Sequence, residues 1–110
     1  MKPWLIAFAL TQLVEVPIYL VAASSTESGR KWVAAFGASA ITHPVVWFVF
    51  PRYWPTGHWW QMVACAELFA VAVEAAWLAS FGVKRPIEWS FFANATSFGL
   101  GLVLQHFRVI

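Results

Sequence analysis

The chain has 110 residues, of which 61% are hydrophobic and 11% charged, and its net charge at neutral pH is +2. A soluble domain carries about 25% charged residues, and one this short buries too little of its surface to hide so much apolar area. The composition therefore points to lipid as the solvent. The seven Lys and Arg residues form no run longer than two, so there is no nucleic-acid patch. The single cysteine, Cys65, has no partner for an internal disulfide and reads as a small buried hydrophobe.

Met1-Lys2 followed by an apolar stretch resembles a signal peptide. The stretch is too long for an ordinary h-region, and no small-residue cleavage site ends it, so it reads as a retained first span over residues 3–23. Pro3 suits a helix start. The polar run Ser24–Lys31 reads as a loop. A second span over residues 32–50 is expected to stop at Pro51, and Pro51–His58 is a turn-rich connection. A third span covers residues 59–81, with Gly82 as its C-cap. Lys84-Arg85 make a short turn. Pro86 opens a fourth span over residues 86–107, with Glu88 in the first turn, where a carboxylate favours the helix dipole.

Each stretch has the roughly 20 residues that a helix needs to cross the hydrocarbon core. Only helices or closed barrels satisfy the backbone in lipid, and the apolar runs show no period-2 alternation. The expected fold is an all-α integral membrane protein, a four-transmembrane-helix bundle forming a single membrane domain over residues 1–110. Trp4, Trp32, Trp54, Trp59, Trp60 and Trp89 fall near span ends, as interfacial anchors do. Small residues at four-residue spacing (Ala66 and Ala70; Ala72, Ala76 and Ser80; Ala93, Ser97 and Gly101) would let helices approach closely. Basic residues divide almost evenly. Arg30, Lys31, Lys84 and Arg85 lie on one side and Lys2, Arg52 and Arg108 on the other, which leans towards cytoplasmic first and third loops.

Glu15, Glu67, Glu74, Gln12, His43 and Asn94 lie within the expected spans. A charge at the bilayer centre costs at least about 2.5 kcal/mol, so these residues should face the bundle interior and one another. With a rise of about 1.5 Å per residue, His43 and Glu67 fall roughly 10 Å from the side holding the termini. Glu15, Glu74 and Asn94 fall about 18 to 21 Å from it. Spacing puts Glu67 with Glu74 on one helix face, Gln12 with Glu15 on another, and Asn94 with Ser97 on a third. Pro17 and Pro44 each remove a helical donor, which frees the carbonyls of Leu13 and Ala40 beside the ionisable groups. Carboxylates with free carbonyls suit a cation. The candidate intramembrane site is Glu15, His43, Glu67, Glu74, Asn94, Gln12 and Ser97.

The pattern Glu15-Val16-Pro17, Thr42-His43-Pro44, Glu67 with Glu74, and Asn94-Ala95-Thr96-Ser97 resembles a group of small bacterial four-span membrane proteins with no assigned activity. The resemblance covers nearly the whole chain and implies a place in the bacterial inner membrane. The chain is also similar in length, span number and first-span glutamate to the small multidrug resistance transporters. That likeness stops at Glu67 and Glu74, which have no counterpart there, and at the different surroundings of Glu15, Gln12 to Pro17.

Three functions fit these residues. The first is proton-coupled or cation transport or permeation by a homo-oligomer, with the glutamates exchanging protons for a cation and His43 as partner or relay. No cofactor is expected beyond such a cation. The second is a non-catalytic accessory subunit of a larger membrane complex. The third, a metalloenzyme, ranks last, because only His43 lies deep and no Glu-x-x-His or Cys-x-x-Cys pair exists.

Overall fold

The structure is a computed structural model that describes residues 2–24 and 26–107. Ser25 of the first loop and Arg108, counted above among the basic residues, lie outside the described residues. Four long helices account for nearly all of the described chain: α1 (Lys2–Ala22), α2 (Ser28–Tyr53), α3 (Trp59–Ser80) and α4 (Pro86–His106). Each packs on the next, and α4 returns to α1, so the four close into a ring of antiparallel neighbours. Three of them, α1, α2 and α3, are long and apolar enough to cross a membrane. At 21 residues α4 is about 31 Å long.

Helix α2 departs from expectation at both ends. It begins at Ser28, inside the expected loop, with the Lys31 amide donating to the Glu27 carbonyl at 2.9 Å. Charge marks where side chains must stay accessible, not where the backbone must stop: Arg30 is exposed although its backbone is helical. At the other end Pro51 does not stop the helix. Pro44 cannot donate to the Ala40 carbonyl, and directly after it the backbone widens into a π-helical turn over Val45–Val49, with the Phe50 amide reaching Val45. Pro51 then sits in the closing turn Phe50–Tyr53. Termination falls at Trp54, which is extended at φ −101° and ψ 138°, the conformation that a following proline imposes.

Pro17 leaves α1 continuous. It and Leu13 are both exposed, so the gap it makes in the hydrogen-bond ladder lies on the outer edge of α1. The freed Leu13 carbonyl is therefore not beside Glu15, which is 1% exposed. Helix α3 closes as its glycine suggests. Gly82 has φ +82°, and the Val83 amide bonds back to the Leu78 carbonyl at 3.2 Å, with both side chains buried. Arg85, at φ 55° before Pro86, turns the chain into α4.

The core fills the half of the bundle that holds the first and third connections. Tyr19, Ala23, Ala34, Ala35, Ala38, Leu78, Val83 and Ala93 are buried there. The alanines permit close helix approach, and so does Gly37. A Cβ at Gly37 would stand 2.6 Å from Cζ2 of Trp77, whose indole N–H donates to the Ala34 carbonyl at 3.0 Å. Ala66, Ala70 and Ala93 of the small-residue ladders are buried, but Ala72, Ala76 and Ser80 face outward. Cys65 is exposed, not buried, because it sits with Leu68, Ala72 and Ala76 on the face of α3 that points away from the ring. The outer surface is apolar, with Leu13, Leu68, Phe91 and Ile87 each more than half exposed.

Candidate functional site

Two carboxylates occupy the middle of the ring. Glu15 of α1 and Glu74 of α3 are each 1% exposed, and their side chains adjoin. Both come inward because the opposite sides of their helices carry the exposed apolar residues, Leu13 on α1 and Ala72 and Ala76 on α3. Every carboxylate oxygen receives a donor. Ser39 of α2 donates to Oε1 of Glu15 at 2.6 Å, and Ser97 of α4 to Oε2 at 2.5 Å. Tyr19 of α1 donates to Oε1 of Glu74 at 2.6 Å and Thr42 of α2 to Oε2 at 2.5 Å. The Asn94 amide of α4 adds a bond to Glu74 Oε1 at 3.1 Å, and is itself held by the Ser90 carbonyl at 2.9 Å. All four helices thus meet at this pair. Buried polar groups left unpaired are costly, so the network fixes the helices in one rotational setting.

A cavity of about 400 Å³ runs from this pair towards the end of the bundle that holds the second connection. Glu15, Glu74, Asn94 and Ser97 lie at its inner end, and it reaches the exposed residues Pro51, Trp59 and Gln105 at the other. None of the buried core residues around Tyr19 and Leu78 lines it. The space thus lies on one side of the carboxylate pair, and the packed core lies on the other.

His43 and Glu67 line the same cavity nearer its mouth. The His43 ring lies among aromatic neighbours, with ring centroids 5.4 Å from Phe8 and 6.2 Å from both Trp4 and Trp47. Its Nε2 is 3.4 Å from the Thr11 hydroxyl, while Nδ1 is buried without a partner. Of the seven residues expected from spacing, Gln12 alone does not line the cavity. Its amide donates to the Phe36 carbonyl at 3.3 Å, across the seam between α1 and α2. Three residues along a helix is about 300° of rotation, which is enough to send Gln12 to a different neighbour from Glu15.

Tyr19, Ser39 and Thr42 hold the carboxylates and lie outside the group expected from spacing. A signal existed. Tyr19 follows Glu15 by four residues, and Ser39 and Thr42 are three apart, so each set shares a helix face. Hydroxyls in apolar helices are common enough that only their convergence on two carboxylates distinguishes these. Among the described residues no group of three or more His, Cys, Asp or Glu side chains could hold a metal ion.

No protein family, curated sequence or solved structure matches the chain.

Proposed function

We propose that the chain is a multi-pass membrane protein, with α4 as its fourth span, that couples protons to the movement of a cation through the Glu15–Glu74 pair. The membrane setting is supported by three helices of spanning length and by an outer surface whose exposed residues include Leu13 at 72% and Leu68 at 71%. Soluble monomers seldom expose contiguous apolar surface on this scale. A bacterial inner membrane is the compartment that the reading carries with it.

One observation carries the coupling: two adjoining carboxylates line the inner end of a cavity that extends to exposed residues at one end of the bundle. Two negative charges side by side in a low dielectric repel strongly, so the pair holds either a proton or a cation between its members. Replacing one by the other leaves the buried charge unchanged, which is the requirement for exchange. Ser39, Ser97, Tyr19 and Thr42 can turn their hydroxyls to serve either state, since each is both donor and acceptor. Passage to the far side then requires the packed half around Tyr19 and Leu78 to open, or further copies of the chain to rearrange against it.

The test is proton movement in liposomes that carry a pH dye inside and hold the purified protein. An imposed gradient of sodium, potassium or an organic cation should drive proton counterflow. Glu15→Gln and Glu74→Gln should each insert and assemble and lose that flow. Full flow in both variants would leave the pair a structural feature.

A second reading, an accessory subunit of a larger membrane complex, is favoured by the outward ladder Ala72, Ala76 and Ser80. There a partner helix, from another protein or a second copy, could approach closely. Stoichiometric co-purification of one large membrane partner would favour this reading over autonomous transport.

A further inference from the structure

We infer that the outer edge of α1 around Leu13 and Pro17 is a docking surface for a transmembrane helix of another protein, one that presents a hydroxyl or amide side chain at mid-membrane to the free Leu13 carbonyl. The inference rests on the membrane setting proposed above and is independent of the role given to the Glu15–Glu74 pair.

The backbone leaves this acceptor open. Pro17 has no N–H, so the Leu13 carbonyl loses its helical donor. The comparable loss at Pro44 is followed by a π-helical turn, which redirects the next amides. No such adjustment accompanies Pro17, since α1 stays α-helical from Lys2 to Ala22. The polar side chains close by are engaged elsewhere. Thr11 pairs with His43 Nε2 at 3.4 Å, and the Gln12 amide donates to the Phe36 carbonyl at 3.3 Å, both towards α2. Glu15 points inward to Ser39 and Ser97. Among the described residues, the side chains that donate to backbone carbonyls reach carbonyls other than that of Leu13.

The position of the gap decides what can fill it. Leu13 is 72% exposed and Pro17 is exposed one turn further on. At a rise of about 1.5 Å per residue, Leu13 lies roughly 16 Å from Lys2 and roughly 14 Å from Ala22. That is near the middle of a hydrocarbon core about 30 Å thick. Water is absent at that depth, and a backbone group left unsatisfied in lipid is costly. The donors of lipid headgroups lie at the two surfaces, out of reach of the centre. A side chain on a neighbouring helix is the donor that remains. The stripe Ile6, Ala9, Leu13, Pro17 and Val21 is exposed along one side of α1, and the small Ala9 one turn before Leu13 lets another helix come close.

A second copy of the chain is a poorer match than a different protein. The outward-facing hydroxyls within α3 and α4 are already spent on their own helices. Thr96 donates to the Phe92 carbonyl at 2.7 Å and Ser80 to the Trp77 carbonyl at 2.6 Å. Cys65, also outward, offers only a weak thiol donor.

Two synthetic transmembrane peptides serve as probe and control: a leucine–alanine helix with one central serine, and the same helix with alanine there. Each carries a dansyl group and lacks tryptophan, so energy transfer from the protein's own tryptophans reports association in phosphatidylcholine vesicles. The parent should bind the serine peptide at least about threefold more tightly than the alanine peptide. Pro17→Ala returns an N–H to the Leu13 carbonyl and keeps the face apolar. It should bind the two peptides equally, with its fold checked by helical circular dichroism and a single size-exclusion peak. Equal binding of both peptides by the parent overturns the inference, and so does a serine preference that survives in Pro17→Ala. If the parent instead forms dimers in the vesicles that Pro17→Ala dissolves, the occupant is a second copy and the inference falls. Flotation of the vesicles after an alkaline wash separates these outcomes from failure of the membrane setting. Protein that floats without preferring serine overturns the docking surface alone, whereas protein that washes off takes the membrane setting with it.

Discussion

At the scale of single residues, the donors around Glu74 divide unequally. Oε1 accepts from Tyr19 at 2.6 Å and Asn94 at 3.1 Å, while Oε2 accepts from Thr42 at 2.5 Å and has no second partner among the hydrogen bonds of the network. Thr42→Val should therefore leave Oε2 buried and unpaired, and cost about 1 to 3 kcal/mol. Tyr19→Phe leaves Asn94 on Oε1 and should cost less than Thr42→Val. The comparison is made on thermal unfolding of the purified protein in one detergent, and the reverse order would show that the two bonds are not independent. Gln12 is the contrasting case. Its bond to the Phe36 carbonyl, at 3.3 Å, lies outside the cavity, so Gln12→Leu should cost under about 1 kcal/mol and leave proton counterflow unchanged.

At the scale of elements, α2 and α3 are held by a close approach that one methyl group disrupts. Trp77 lies against the bare backbone at Gly37 and donates its indole N–H to the Ala34 carbonyl. Gly37→Ala would place a Cβ 2.6 Å from that ring, and neither backbone can yield without parting the Ala34–Ala38 surface from Leu78. Such overpacking typically costs about 1 to 3 kcal/mol. The variant should unfold at lower temperature than the parent, and adding Trp77→Phe, which shortens the ring system, should restore part of the loss. No recovery in the double variant would place the strain elsewhere than at this seam.

At the scale of the whole molecule, the bundle is asymmetric along its axis, packed at one end and hollow at the other. In a Cys65→Ala background, Met62→Cys at the cavity should react with a membrane-impermeant maleimide from the side that bears the termini. Ala93→Cys, fully buried in the packed half, should react from neither side. Equal labelling of the two would show that the packed half is open. Reporter fusions within the first connection and after His106 should lie on opposite sides of the membrane, because α4 is proposed to cross it. Reporters on the same side would remove α4 as a span.

The apolar composition and the lengths of the runs determined by themselves the helical class and four long segments, because long apolar runs without period-2 alternation satisfy their backbone groups within each segment and because length follows from rise per residue. Spacing along each helix predicts Glu15, Glu74 and Asn94 at one level, and in the structure Glu74 adjoins Glu15 and accepts from Asn94, while His43 and Glu67 line the same cavity. Spacing could not give rotation about the axis relative to neighbours, which is set by packing between helices. Gln12 therefore left the group to which spacing had assigned it, Ala72, Ala76 and Ser80 turned outward, and Cys65 lay exposed. The π-helical turn after Pro44 likewise moved the end of α2 beyond Pro51, since a change of helical pitch has no counterpart in hydrophobic periodicity. Above all, the meeting of Ser39, Thr42, Ser97 and Tyr19 on two carboxylates belongs to the tertiary structure. Each of these hydroxyls is ordinary in its own segment, and only the closing of the ring brings four helices to one point.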